Sequence, residues 1–210
     1  MEKTLKKITA SYNKSAACYD LMNRVYFLGR DKEFRSMMVR RLKLKPNDTV
    51  LVLCCGTGLD FPYLLRQTQP LGLIVGVDLS PKMLHQAKRK IGSGSVNLVR
   101  SDAAHLPFPD GCFDAIIVSF CLKITPAYRQ TVGESVRVLK SSGRMGILAN
   151  NKPSEPLKLL GILFTKVLGA MAKINFEIKL EEHLSGDLRI VDDRKLYGGL
   201  VRILVAKKGD

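Results

Sequence analysis

The residues best suited to chemistry stand where apolar runs break off. Thr49-Val50-Leu51-Val52-Leu53-Cys54-Cys55-Gly56-Thr57-Gly58-Leu59-Asp60 is an aliphatic run that ends in a Gly-Thr-Gly turn. Glycines there let the backbone bend sharply and approach a ligand where a Cβ would stand in the way. Asp78 closes a second run, Leu73-Ile74-Val75-Gly76-Val77, 20 residues after Gly58. A carboxylate at the tip of the neighbouring strand can accept hydrogen bonds from both hydroxyls of a ribose. A third run, Val96-Asn97-Leu98-Val99-Arg100, leads to Asp102, which puts a second carboxylate on the same crevice. Turn and carboxylates together suit a nucleoside. A dinucleotide fingerprint wants a third glycine three residues after Gly58, where this chain has Phe61, and that argues against a nicotinamide dinucleotide.

These residues need a parallel sheet to position them. Largely aliphatic runs at Val50–Leu53, Leu73–Val77, Val96–Arg100, Ala115–Phe120 and Arg144–Ala149 read as strands. Helices alternate with them. Phe61, Leu64 and Leu65 share one helical face; Ser80 and Pro81 are a cap and first-turn pair for a helix using Met83, Leu84 and Ala87, with His85 facing solvent. A third helix is expected over residues 126 to 139, with Lys140-Ser141-Ser142-Gly143 as its C-terminal stop. Alternation of this kind predicts an α/β, doubly wound, mostly parallel sheet whose ligand lies outside the carboxyl ends of the strands. Leu188–Val191 and Leu200–Ala206, joined through Tyr197-Gly198-Gly199, are expected to form a C-terminal antiparallel pair. Residues 2 to 18 read as an N-terminal helix with Leu5, Ile8 and Tyr12 on one face, and a second helix runs through Leu42. An apolar helix is expected from Pro156 to Ile174, with Lys158, Lys166 and Lys173 on one stripe; a lysine at its centre makes it a poor transmembrane segment. It suits a lid over the cleft, an interfacial membrane helix or a core helix with a solvated edge.

At 210 residues the chain is long enough for one well-buried core. We read one domain: a helical cap (1–45), a cofactor-binding core (46–150), and a lid helix with the terminal strand pair (151–210). The formal charge of +15 favours anionic partners, either nucleic acid or an acidic membrane face, although the basic residues are dispersed as on an ordinary solvated surface. Five cysteines without repeated CxxC spacing argue against a disulfide framework or a zinc site, and no metal is expected. The N-terminus lacks an apolar segment behind its lysines, so no signal peptide is indicated and a cytoplasmic location is expected.

Several short pieces, in order and spacing, resemble the class I S-adenosylmethionine-dependent methyltransferases, and within them the family that methylates ubiquinone and menaquinone precursors. They are Tyr19-Asp20-Leu21-Met22-Asn23, Gly56-Thr57-Gly58, Asp78, Ser101-Asp102-Ala103, Phe113-Asp114, Ser119-Phe120-Cys121-Leu122-Lys123, Arg137-Val138-Leu139-Lys140 with Gly143-Arg144, Lys152-Pro153 with Glu155-Pro156-Leu157, and Gly198-Gly199. The resemblance implies a seven-stranded Rossmann-like sheet, S-adenosylmethionine as cofactor, and a small, hydrophobic or lipid-like acceptor such as a quinone precursor or lipid head group. It implies that Thr57 and the turn of Gly56 and Gly58, with Cys54, hold the methionine end, and that Asp78 takes the ribose hydroxyls. Asp102 with the Ala103 amide would read the adenine edge, Leu79, Met83 and Ser119 would line the cleft, and Tyr19 and Lys123 would meet the acceptor. Three positions depart from the family: Val52 replaces an acid, Cys54 a small residue, and Cys121-Leu122-Lys123-Ile124 a Gly-Leu-Arg-Asn strip.

Methyl transfer needs a nucleophile and a methyl held in line in a dry site, and no fixed catalytic dyad. The catalytic residue is therefore open. Tyr19, His105, Lys123 and His183 are candidate bases, against plainer roles as a packing ring, a loop residue, a surface cation and an exposed neighbour of Glu181 and Glu182. Two other functions compete: nucleic-acid methylation, suggested by charge alone, and a non-catalytic S-adenosylmethionine-binding module, suggested by Val52 and Cys54. Cysteines converging outside the cofactor pocket would bind an arsenical, but Cys54 and Cys55 read more simply as small buried residues.

Overall fold

The computed structural model describes residues 2–67, 72–91, 96–151, 175–176, 178, 180–184 and 186–210. The helix expected over residues 156 to 174 lies outside them. Three helices come first: α1 (Glu2–Ser15), α2 (Tyr19–Tyr26) and α3 (Asp31–Arg41). The βα series follows as β1 (Val50–Leu53), α4 (Phe61–Gln67), β2 (Ile74–Asp78), α5 (Pro81–Ile91), β3 (Val96–Arg100), β4 (Phe113–Ser119), α6 (Tyr128–Val138) and β5 (Leu139–Asn150). A single turn, α7 (Leu180–His183), precedes β6 (Leu188–Leu196) and β7 (Val201–Lys208). The seven strands form one sheet in the order β3-β2-β1-β4-β5-β7-β6. Strands β1 to β5 pair in parallel, and β7 pairs antiparallel with both β5 and β6. The expected architecture is thus observed.

All four residues of β1 are buried because the strand has a neighbour on each side and a core on each face. Leu51 and Leu53 join one core with Val75, Val77, Ile116 and Val118. Val50 and Val52 join the other with Ile74, Ala115 and Ile117. Strand order reverses between β1 and β4, the switch point at which open α/β sheets bind their ligands. Phe61 explains the missing third glycine: a Cβ on Gly58 would come within 2.6 Å of its ring and one on Gly76 within 2.7 Å. The aromatic ring fills the space over both glycines, so close packing of helix on strand is achieved by a large residue instead of a small one.

One local expectation is corrected, and one segment of the helical cap gains its bounds. Tyr19–Tyr26 is a separate helix, α2. Lys140-Ser141-Ser142-Gly143 is not a helix stop but part of β5, for Leu139 is already extended (φ −77°, ψ 131°). The end of α6 is capped from a distance, by the Lys208 ammonium of β7, which donates to the Val136 carbonyl at 2.7 Å and the Leu139 carbonyl at 2.8 Å. A cation at those carbonyls does the work for which a glycine was expected.

Candidate functional site

A cleft of about 770 Å³, partly open to solvent, lies at the carboxyl ends of β1, β2, β3 and β4. Of the residues expected to bind ligand, Tyr19, Cys54, Gly56, Asp78, Leu79, Met83, Asp102, Ala103 and Ser119 line it together. Thr57, Gly58 and Lys123 are not among the lining residues. Thr57 is buried and its hydroxyl donates to Asp20 of α2, which in turn pairs with Lys90 of α5. Gly58 lies under the Phe61 ring. Lys123 is not a surface cation: it is buried in a short 3-10 turn (Leu122–Ile124) beside the cleft.

Asp78 is the structural hub of the floor. One carboxylate oxygen accepts the Gly56 N–H at 2.9 Å and the other the Ser80 N–H at 2.8 Å, joining the glycine turn to the start of α5. Burial pushes its pKa above the usual carboxylate value, against the pull of the Ser80, Gly56 and Leu79 amides. Carboxylate oxygens can accept more than one hydrogen bond each, so capacity remains for ligand hydroxyls. Ser80 caps α5 as expected, accepting the Met83 N–H at 3.1 Å. Asp102, at the tip of β3, accepts the Ala104 N–H at 3.0 Å.

The β1/β4 side differs in character. Cys54 and Phe120 both sit in the left-handed region, with φ of 49° and 56°. Ser119 Oγ is buried with no hydrogen-bond partner among the described residues. Cys54 and Cys121 are joined by a disulfide, with Cα atoms 6.2 Å apart, although 67 residues separate them. The expectation of no disulfide is therefore corrected; adjacency of β1 and β4 brings together thiols that sequence spacing keeps apart. Cys18 is exposed, Cys55 buried and Cys112 half-buried, all three free.

Three further features escaped sequence reasoning. The apolar face of α1 was legible, but its destination was not: Leu5, Ile8, Thr9 and Tyr12 wall the cleft. Asn13 anchors that wall, its Oδ1 accepting the Ser80 hydroxyl at 2.7 Å. Beneath the glycine turn, Arg35 of α3 donates to Asp60 at 2.8 Å, with both side chains almost fully buried. The pair fixes the turn from below.

The candidate bases fare poorly. Burial, first of all, pushes the Tyr19 pKa up, so its phenol keeps its proton at neutral pH. His105 is exposed and lies 3.6 Å from Asp102 outside the cleft lining. The His183 side chain lies outside the described residues.

The fit to an adenosyl sulfonium can be judged from these groups. A tip carboxylate suits its ribose, and an unpartnered buried hydroxyl on the same cleft supplies a donor or acceptor for its polar amino-acid end. The apolar side chains of α1 cover one side of the cleft. Val52, buried in the core and not in the cleft lining, leaves that end without the acid common at its position.

Comparison with known proteins agrees. Residues 1–184 match the ubiE/COQ5 methyltransferase family. The demethylmenaquinone methyltransferase of Lactobacillus johnsonii is 33% identical, over 97% of this chain and 94% of its own length. An S-adenosylmethionine-dependent methyltransferase of Aquifex aeolicus superposes with a TM-score of 0.62 at 20% identity, covering 83% of this chain and 89% of that one. The [4+2]-cyclase SpnF superposes with a TM-score of 0.69 at 19% identity, covering 85% and 80%. Likeness at that identity reports the fold, which carries more than one chemistry.

Proposed function

The chain belongs to the ubiE/COQ5 methyltransferase family, and on that premise we propose that it methylates a quinone precursor at the surface of an anionic membrane. As a member it is an S-adenosylmethionine-dependent methyltransferase. The cofactor supplies a methyl on a sulfonium sulfur, open to in-line displacement by a nucleophile.

The chain's own residues then bind, orient and keep the site dry. Asp78 would hold the ribose hydroxyls, with Leu79 and Met83 beside the nucleoside. Asp102 and the Ala103 N–H would take the adenine edge. Gly56, Cys54 and Ser119 would face the methionine end, and Tyr19 and the Lys123 turn would border the acceptor. Most of the rate gain would come from alignment and exclusion of water, since the Tyr19 phenol keeps its proton and His105 stands outside the cleft lining. The observation that carries the proposal is the convergence of the Asp78 carboxylate and the unpartnered Ser119 hydroxyl on one cleft walled by the apolar face of α1.

Support for the membrane comes from α2, which borders the cleft through Tyr19. Leu21, Met22 and Val25 are 64%, 46% and 66% exposed, and Leu28 in the following turn is 78% exposed. The first 45 residues carry twelve Lys and Arg against four Asp and Glu. An apolar stripe within a cationic segment matches an anionic bilayer, where each basic residue near the surface adds about 1 kcal/mol. Among the described residues no helix is long and apolar enough to cross a membrane.

The test offers labelled S-adenosylmethionine with a short-chain demethylmenaquinol on mixed phosphatidylglycerol and phosphatidylethanolamine vesicles, with RNA added as a competing acceptor. Labelled quinol is expected. Label in phosphatidylethanolamine or RNA instead would overturn the acceptor assignment.

A further inference from the structure

We propose that Cys54 and Cys121 are a reversible dithiol–disulfide couple on the cleft floor, oxidised by a low-molecular-weight disulfide of the glutathione type, and that the oxidised form holds the cofactor's methionine end more weakly than the reduced one. The couple concerns the same site and rests on the cofactor assignment above.

Position is the first ground. Strands β1 and β4 are parallel neighbours, and Cys54 follows β1 immediately while Cys121 lies two residues beyond β4. The pair therefore spans the switch point of the sheet. Its Cα separation of 6.2 Å is within the range a disulfide bridges, and the two sulfurs are bonded. Both residues line the cleft together with Gly56, Asp78 and Ser119.

Backbone conformation is the second. At a φ of 49°, Cys54 occupies a region that costs a side-chain-bearing residue about 1 kcal/mol, and Phe120 beside Cys121 does the same at 56°. Glycine would be at ease at residue 54. A cysteine held there against its preference contributes a sulfur, and local strain of this kind gathers at functional sites.

The chemistry balances with one named oxidant, RSSR. Cys54, the more exposed of the two, attacks one sulfur as its thiolate, forming a mixed disulfide and releasing RS⁻, which takes up the Cys54 proton as RSH. Cys121 then attacks the Cys54 sulfur as its thiolate, forming the intramolecular bond and releasing the second RSH with the second proton. Two electrons pass from the protein thiols to the oxidant, and a small dithiol reverses both steps. Thr125 Oγ1 donates its proton to the Cys121 carbonyl at 3.1 Å and lies 3.2 Å from Cys121 Sγ, so rotation of the hydroxyl would turn that proton to a Cys121 thiolate.

The bond ties the tips of β1 and β4 across the floor on which Gly56 and Ser119 would meet the methionine end. Reduction frees the two side chains to turn apart. By linkage, a ligand that prefers the reduced protein makes the couple easier to reduce by the same factor.

The experiment compares the full chain after treatment with oxidised glutathione and after reduction, using S-adenosylhomocysteine as the probe. Peptide mapping should find Cys54 crosslinked to Cys121 after oxidation, and calorimetry should find about tenfold weaker binding by the oxidised form. Cys121→Ser, with Cys121→Ala in reserve should serine destabilise the site, should show one affinity under both conditions; Cys55→Ser should keep the difference. Equal affinities of the two forms, or a crosslink through Cys55, would overturn the couple's role. Binding by neither form would overturn the cofactor assignment together with it.

Discussion

The two sides of the cleft are built on opposite terms. At the tips of β2 and β3, both Asp78 oxygens and one Asp102 oxygen accept backbone N–H groups, so these tips are tied down before any ligand arrives. At the tips of β1 and β4 the backbone is in the left-handed region at Cys54 and Phe120, a buried hydroxyl has no partner among the described residues, and two sulfurs meet. One side is satisfied and rigid. The other holds strain and unmet hydrogen-bonding capacity, which in folded proteins gather where function is carried out. On the proposed cofactor assignment, nucleoside recognition would rest on preorganisation, and the methionine end would meet the positions where this chain departs from its family.

The contrast can be broken at its support. Arg35→Met would leave the Asp60 carboxylate buried without its cation, at a cost of about 3–5 kcal/mol in urea unfolding. A cost near zero would mean that the glycine turn does not depend on this pair. Asp78→Ala comes next: loss of two hydrogen bonds to a charged acceptor, each worth about 1.5 kcal/mol or more, should weaken S-adenosylhomocysteine binding about a hundredfold in calorimetry. Ser119→Ala should act more gently and in two directions. Binding should fall by the equivalent of about 1 kcal/mol, while the unliganded protein should melt no lower, since the hydroxyl has nothing to lose there.

The smallest expected effect is on pH dependence. Hydrogen bonds from Arg137 hold the Glu134 pKa below its usual value, and the same guanidinium grips the Leu106 and Phe108 carbonyls in the loop between Asp102 and β4. With a folded pKa below the unfolded one, the stabilisation is present above the unfolded value and fades as pH falls through the folded one. Glu134→Gln should remove that part of the acid sensitivity, seen as a flatter melting-temperature profile on the acid side of neutrality. An unchanged profile would show that the latch carries no linkage.

What the sequence disclosed follows the same divide. The β1 run, the glycine turn, Asp78 at its spacing and Ser80 as a cap were legible because each depends on neighbours within a few residues or on strand periodicity. The α6 cap by Lys208, the Arg35–Asp60 pair and the Cys54–Cys121 bond were not, because their partners lie 69, 25 and 67 residues away. Within the helical cap, the bounds of α2 were not legible for another reason. Its stripe of Leu21, Met22 and Val25 faces outward, so its apolar pattern does not point to the core from which helical periodicity is usually read.

Amide hydrogen exchange with and without S-adenosylhomocysteine tests the central claim most directly. The account predicts slowed exchange at Gly56, Leu79, Ser80, Ala103 and Phe120, with α1 protected as it closes over the ligand and β6 unchanged. Binding that left those strand tips as fast as before, with slowing elsewhere, would contradict it.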